Sequence, residues 1–134
     1  MTAAPPRFRL DASTGVPFYR QVIDQVLLGV ADGRLRPGEQ LPTVRQLAVD
    51  LSVNLNTVAK AYREMEIRGI VQTQQGTGTF VADRRPDGRA AERKKALDRL
   101  VEEALVRSAS KGFTEEETSA AFAERVSRRA RRDR

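Results

Sequence analysis

The sequence predicts a mainly α-helical fold that carries one small β-hairpin and ends in two further helices. Within residues 17–68, three stretches repeat apolar side chains at three- and four-residue spacings, as the buried face of a helix requires. Two β-branched stretches at 70–73 and 79–82 flank a glycine-containing turn, the pattern of a hairpin. Beyond a charged segment at 84–89, two more stretches with helical spacing follow. These observations predict a helical domain with a hairpin, joined to a two-helix C-terminal segment.

The composition excludes several classes of enzyme and of metal site. The chain of 134 residues contains neither histidine nor cysteine, which excludes Ser-His-Asp and Cys-His nucleophile systems and metal sites built from thiolates or imidazoles. We therefore predict no metal and no cofactor, and an enzyme based on carboxylates or lysine is a disfavoured alternative. No apolar run reaches the roughly 18 residues of a membrane span, and the first 15 residues lack the apolar stretch of a secretory signal. The sequence thus predicts a cytoplasmic protein without a membrane partner.

The net charge of +6 suggests an anionic partner, but the excess lies in one part of the chain. Residues 1–83 hold nine Lys and Arg against eight Asp and Glu, whereas residues 84–134 hold fifteen against ten. If the N-terminal part binds nucleic acid, a few well-placed side chains must do so rather than bulk charge.

The first predicted helix follows a lead at 1–15 that is rich in proline, alanine and serine and is expected to be flexible. Pro17 suits the first helical position because that position needs no backbone N–H donor, and Gly33 is a candidate left-handed stop. A turn at Pro37-Gly38 then precedes a candidate short strand at 39–41. The apolar stripe of this helix comprises Tyr19, Val22, Ile23, Val26 and Val30.

The second and third helices are predicted to surround a tight turn. Thr43 and Gln46 have the spacing of a capping box that opens a brief helix. The turn at 52–54 leads into a helix from Asn54 to Arg68, with Asn54 as its N-cap. The order helix, short strand, helix, turn, helix and hairpin is that of a winged helix-turn-helix domain, predicted over residues 16–83. The buried faces are expected to contain Leu47, Ala48 and Leu51, and then Val58, Ala61, Tyr62 and Met65.

The third helix also carries a polar ridge opposite its apolar face. At roughly 100° per residue, Asn56, Lys60 and Arg63 fall on the side that faces away from the predicted core. Water would accept this ridge, and so would the edge of a DNA groove.

Between residues 41 and 82 the sequence resembles the GntR family of bacterial transcription regulators. The shared pattern comprises LPTVRQLA at 41–48, the turn and helix start at 53–58, Gly-Ile at 69–70 and GTGTFV at 76–81. With the preceding helix, the resemblance covers residues 15 to 82. The short two-helix tail is most similar to the YtrA subfamily, whose members lack the large effector-binding domain of their relatives. The resemblance implies a transcription regulator that binds DNA and responds to a small-molecule effector.

The resemblance also implies a DNA-binding role for particular positions, and each has a physical rationale. A guanidinium pairs with phosphate or a guanine edge, short polar groups at a helix N-terminus suit phosphate, and an asparagine amide bonds adenine with two hydrogen bonds. Small residues at a hairpin tip, here the wing from Gln74 to Gly78, let backbone N–H groups approach DNA closely. For Asn54 a purely capping role is an open alternative. The predicted DNA-binding residues are Arg45, Asn54, Asn56, Thr57, Lys60, Gln75, Gly76 and Thr77.

Leu55 departs from the family pattern, because close relatives often have proline there and others a basic residue. A leucine that folds back against the protein would leave one DNA contact missing, whereas an outward one would reach a thymine methyl group. The sequence does not decide between these orientations.

The C-terminal part is predicted to comprise a linker at 84–89, a helical dimerisation segment at 90–130 and a basic tail at 131–134. Two helices with narrow apolar stripes cannot bury both stripes within a small domain, so pairing with a second copy is expected. Packing on the winged domain is the alternative. The predicted dimerisation residues are Leu97, Val101, Ala104, Leu105, Phe122 and Val126.

These features together predict a homodimeric, sequence-specific regulator, most simply a repressor, that binds a palindromic operator in double-stranded DNA. The rival hypothesis is a winged-helix module that binds protein and leaves its polar ridge in water.

Overall fold

The computed structural model describes residues 8–83 and 89–132. These fall into two compact units, one within residues 1–85 and one within residues 86–134. We call them the N-terminal unit and the C-terminal unit and describe each by itself.

The N-terminal unit contains a short 3-10 helix, Ala12–Thr14, then three α-helices and a hairpin. Helix α1 spans Phe18–Ala31, α2 spans Val44–Leu51 and α3 spans Leu55–Ile67. Strands β1, Val71–Gln74, and β2, Gly78–Val81, pair antiparallel. This order confirms the predicted fold class, mainly helical with a small hairpin.

The core of the N-terminal unit lies where α1 and α2 both pack against α3. Each predicted buried face supplies fully covered side chains because the helical spacing gathers them on one side. The exceptions are Tyr19 and Val30 of α1 and Leu51 at the end of α2, which are only half-buried. The covered apolar side chains of the three helices are Val22, Ile23, Val26, Leu47, Ala48, Val58, Ala61, Tyr62 and Met65.

The part of the predicted flexible lead that the structure describes lies along α1. The Gln25 side chain accepts a hydrogen bond from the Arg9 backbone N–H at 2.8 Å and donates one to the Arg9 carbonyl at 2.6 Å. One helical turn earlier, Gln21 bonds both backbone groups of Asp11 at 2.9 Å. Residues 1–7 of that predicted lead lie outside the described residues.

The β structure differs in detail from the prediction. Both hairpin strands are shifted by one residue toward the tip, to 71–74 and 78–81. The candidate strand at 39–41 forms only a single bridge, between Gln40 and Phe80 of β2. Pro42 follows at once and has no backbone N–H to continue a ladder.

The C-terminal unit consists of α4, Ala90–Ser110, and α5, Glu115–Arg132, which contact each other. The predicted capping box opens α5: the Glu117 backbone N–H donates to Thr114 Oγ1 at 3.1 Å, and Glu117 Oε1 accepts from the Thr114 N–H at 3.3 Å. Helix α5 continues to Arg132, into the stretch predicted as a basic tail. Of the predicted linker at 84–89, residues 84–88 lie outside the described residues.

Two findings concern the described part of the chain as a whole. No helix in it combines the length and apolar character needed to cross a membrane. Nor does it contain a cluster of His, Cys, Asp or Glu side chains placed to hold a metal ion.

Candidate nucleic-acid interface

The tight turn between α2 and α3 sets how the two helices meet. Ser52 adopts a left-handed conformation with φ 54° and ψ 44°, and the Val53 N–H bonds the Ala48 carbonyl at 3.1 Å. From inside α3, the Tyr62 hydroxyl donates to the Pro42 carbonyl at 2.6 Å. These contacts fix the start of α2 against the body of α3, so that the first turns of both helices belong to one rigid arrangement.

Arg45 lies in the first turn of α2, as predicted. The hydroxyl of Thr43 caps this helix by accepting from the Gln46 N–H at 3.0 Å. Gln46 does not complete the capping box, because its amide bonds Asp50 one turn further on at 2.8 Å. The Arg45 side chain is exposed, and its guanidinium is thus presented beside the N-terminal end of a helix.

The first turn of α3 divides its polar residues between structure and surface. The Asn54 side-chain oxygen accepts from the Asn56 backbone N–H at 2.8 Å, so the predicted N-cap is confirmed. The Asn54 amide nitrogen takes no part in that bond. The Asn56 side chain is exposed, and Thr57 is half-buried. Asn56 therefore presents both its side-chain oxygen and its side-chain nitrogen at the surface, whereas the Asn54 oxygen is already bonded within the helix cap.

Lys60 lies on the exposed ridge, and its side chain contacts an aromatic ring of α1. Its ammonium nitrogen lies 4.1 Å from the centroid of the Tyr19 ring in α1, within the range of a cation–π contact. Arg63, one turn further, is exposed. The predicted ridge of Asn56, Lys60 and Arg63 is thus outward-facing, with Lys60 held at its α1 side.

The orientation of Leu55, which the sequence left open, is now defined. Its side chain begins α3 and is 44% exposed. An apolar group therefore stands at the surface between the polar side chains of Asn54 and Asn56.

The wing forms a four-residue turn from Gln74 to Thr77, closed by the Thr77 N–H donating to the Gln74 carbonyl at 2.9 Å. Gly76 has φ 79°, a conformation that favours glycine at the third position of such a turn. Gln75, Gly76 and Thr77 are all exposed. The Thr77 N–H is used within the turn, which leaves Gln75 and Gly76 to offer backbone donors at the tip.

Two side chains that support this surface were not recognised from the sequence. Gln40 donates from its amide nitrogen to the Thr77 carbonyl at 3.1 Å, and Tyr62 ties α3 to Pro42. The helical spacing predicts that Tyr62 is buried. Because a buried tyrosine hydroxyl usually has a hydrogen-bond partner, the sequence could have indicated that such a bond exists, though not to which residue. For Gln40 no local pattern indicated a partner 37 residues away.

The predicted dimerisation residues separate into two groups. Ala104 and Leu105 are half-buried within the chain. The other four lie largely exposed: Leu97, Val101, Phe122 and Val126 are 60%, 51%, 58% and 57% exposed. Three apolar side chains outside the predicted set are exposed to a similar degree: Leu100, Val106 and Phe113.

Comparison with known proteins gives this arrangement a context. Residues 18–81 match the model of the bacterial regulatory proteins of the gntR family. HTH-type transcriptional regulator Rv1152 of Mycobacterium tuberculosis is 50% identical over 74 residues, 55% of this chain and 61% of its own. The uncharacterized HTH-type transcriptional regulator YhcF of Bacillus subtilis is 40% identical over 102 residues, 75% of this chain and 83% of its own. HTH-type transcriptional repressor YtrA of Bacillus subtilis is 40% identical over 75 residues, 56% and 58% of the two chains.

Solved structures show the same relationship. YtrA from Sulfolobus acidocaldarius, a GntR-family transcription factor, is 30% identical with a TM-score of 0.58, covering 74% of this chain and 97% of its own. A transcriptional antiterminator from Listeria monocytogenes is 26% identical with a TM-score of 0.73, covering 92% of both chains.

Fold and surface define a winged helix-turn-helix protein of the class that binds DNA to regulate transcription. Because YhcF is 40% identical over 83% of its own length, and because the family model matches most of the N-terminal unit, the chain belongs to the GntR family of bacterial regulatory proteins. Its similarity to two YtrA proteins makes it YtrA-like. The matching family and relatives are transcription regulators and not enzymes.

Proposed function

We propose that this regulator is a homodimeric repressor that binds a palindromic operator through α3 and the wing. The observation that carries the proposal is the pair of exposed polar side chains, Arg45 and Asn56, in the first turns of two helices that pack together. In a helix-turn-helix domain the second helix places its N-terminal residues in the major groove while the first helix crosses the DNA backbone, which assigns these tasks to α3 and α2.

In this proposal each side chain has a distinct task. The Arg45 guanidinium bonds a phosphate or a guanine edge, and the Asn56 carboxamide bonds the N6 and N7 edge of adenine. Asn54 and Thr57 offer polar groups to the backbone beside the α3 N-terminus, whose N–H groups favour phosphate. Lys60 reaches the backbone from its position over Tyr19. The wing tip, Gln75 to Thr77, lies on the adjacent phosphate backbone or minor groove.

Dimerisation is supported by the exposed apolar side chains of the C-terminal unit. No apolar side chain among its described residues is fully buried, so α4 and α5 do not form a closed core by themselves. A second copy would cover Leu97, Val101, Phe122 and Val126, with Ala104 and Leu105 at the edge of the contact. It would also place two copies of α3 at half-sites one DNA turn apart.

Repression, cytoplasmic location and effector control complete the proposal. The relative YtrA is named a repressor, and a bacterial regulator meets its operator in the cytoplasm. Two open grooves lie along α4 among the described residues. Because neither encloses a small molecule, a small effector would bind where subunits meet. Release of the operator on adding a metabolite would identify such an effector.

The test is selection of bound sequences from random duplex DNA with the full chain, followed by affinity measurements on the selected operator. We expect a palindrome with half-sites about ten base pairs apart. Arg45→Ala should lower affinity and reduce the salt dependence by about one counterion. Asn56→Ala should relax preference for one adenine by roughly 1–3 kcal/mol.

A matched control is Arg36→Ala, which removes an exposed guanidinium outside the proposed surface and should leave base preference unchanged. Unaltered affinity in both Arg45→Ala and Asn56→Ala would remove these site assignments. A protein-binding module would instead show weak DNA binding with no selected sequence.

A further inference from the structure

The segment before α2 is joined to the wing strand by backbone hydrogen bonds. The Gly38 N–H donates to the Val81 carbonyl at 2.8 Å, the Val81 N–H to the Glu39 carbonyl at 2.8 Å, and the Leu41 N–H to the Thr79 carbonyl at 2.9 Å. Residues 38–41 thus act as a short third edge along β2. Because Thr43, two residues on, caps α2, this edge connects the wing directly to the start of that helix.

From this edge, the Gln40 side chain extends to the wing tip. Its amide nitrogen donates to the Thr77 carbonyl at 3.1 Å, while the Thr77 N–H closes the turn onto Gln74 at 2.9 Å. Both backbone groups of Thr77 are therefore fixed from inside the protein. Gln40 thus supplies a side-chain bond to the tip from outside the hairpin.

The neighbouring glycine supports this close approach. Gly78 has φ 139°, and a Cβ placed there would lie 2.5 Å from the Gln40 amide nitrogen. Glycine at 78 therefore leaves room for the amide to lie against the hairpin. Gln40 and Gly78 form a complementary pair at the base of the wing tip.

We propose that Gln40 is a positioning residue for DNA recognition: it sets the wing tip against the edge that leads into α2, so that the tip and Arg45 meet one duplex in fixed register. Without this bond, the turn from Gln74 to Thr77 would move independently of the helices. The inference rests on the proposed DNA-binding function and adds to it a residue that acts through its bond to Thr77.

The test compares Gln40→Met with Gln72→Met in the full chain. Methionine matches the length of glutamine but has no N–H donor, and Gln72 is an exposed glutamine in the middle of β1. Amide hydrogen exchange at Thr77, whose N–H closes the turn onto the Gln74 carbonyl, should accelerate in Gln40→Met and stay unchanged in Gln72→Met. Gln40→Glu, which also lacks the donor, provides a second variant for the exchange measurement should Gln40→Met fold poorly.

Operator binding supplies the second measurement. Gln40→Met should weaken binding to the selected operator roughly fivefold, the effect of one net hydrogen bond, without altering preference at the adenine assigned to Asn56. Placing a charge at the tip with Gln75→Glu should weaken wild-type binding by repelling phosphate. In the Gln40→Met background, Gln75→Glu should lower operator affinity by a smaller factor than in the wild type, because a loosened tip is near the phosphate for less of the time.

The outcomes separate the inference from the proposed function. Equal exchange at the wing tip in Gln40→Met and Gln72→Met would overturn the positioning role, and so would additive effects of Gln40→Met and Gln75→Glu on binding. If the wild-type chain selected no duplex sequence, the proposed function would fail, while the exchange comparison would still decide whether Gln40 holds the wing.

Discussion

The two units of this chain solve the problem of burying apolar surface in different ways. In the N-terminal unit, side chains such as Val22, Val58 and Met65 are completely covered by the three helices and the hairpin. Among the described residues of the C-terminal unit, the only buried side chain is that of Thr118, whose hydroxyl donates to the Thr114 carbonyl at 2.9 Å. The N-terminal unit has its own apolar core, whereas the C-terminal unit leaves large apolar side chains exposed.

This difference indicates where the stability of each unit originates. A buried apolar side chain contributes through the area it removes from water, and in the N-terminal unit that area is removed within one chain. For α4 and α5, comparable burial requires another surface. We therefore expect the stability of the N-terminal unit to be independent of protein concentration and that of the C-terminal unit to increase with it.

The most disruptive test of this comparison is Met65→Ala. Met65 is 0% exposed, so truncation leaves a cavity and should lower the free energy of unfolding by about 2–5 kcal/mol. Leu97 is 60% exposed, so Leu97→Ala should change the free energy of unfolding by less than about 0.5 kcal/mol in dilute protein. Urea unfolding followed by circular dichroism measures both. Equal losses would mean that the two units do not differ as described.

The second test places a charge on the proposed dimer surface. Leu97→Asp should weaken dimerisation roughly thirtyfold or more, as loss of a central interface side chain worth ~2 kcal/mol would. The matched control is Val106→Asp, because Val106 is 59% exposed and lies nine residues along the same helix, on the opposite side at 100° per residue. Sedimentation velocity over a concentration series measures both, and a Leu97→Asp variant that remains dimeric would exclude this face as the interface.

Most of the fold could be predicted from the sequence because it depends on local chemistry. Helical spacing identified the buried faces, and Asn54 and Thr114 marked helix starts that the structure confirms. The hairpin strands were shifted by one residue because register is set by pairing across the sheet. The capping box at Thr43 is half-formed because the Gln46 side chain is turned away from it, its amide nitrogen donating to Asp50 one turn along α2.

The candidate site was predicted less completely than the fold. Helical spacing placed Asn56 on the outward ridge, and the family resemblance pointed to Arg45. Both side chains are exposed, and their contacts with DNA stay predictions. The contact of Lys60 with Tyr19 and the bond from Gln40 to Thr77 join residues distant in the chain. Such contacts depend on how the elements pack, and no local pattern reports them.

The smallest expected effect concerns the polar contact inside the N-terminal core. Tyr62→Phe removes the 2.6 Å hydrogen bond to the Pro42 carbonyl and should cost about 1 kcal/mol of stability at pH 7. Tyr19→Phe, which keeps the ring facing Lys60, should change stability by less than about 0.5 kcal/mol.

The same phenol makes the difference between Tyr62→Phe and the wild type depend on pH. Burial raises the pKa of Tyr62 in the folded chain, whereas an unfolded tyrosine ionises near pH 10. Above about pH 10 the unfolded wild type therefore binds fewer protons than the folded one, and its stability falls by up to about 1.4 kcal/mol per pH unit. The phenylalanine variant lacks this loss, so the advantage of the wild type should shrink between pH 9 and pH 11 in urea unfolding. A difference that stayed constant over this range would show that the Tyr62 hydroxyl is open to water, and that the N-terminal core is less closed than its contrast with the C-terminal unit requires.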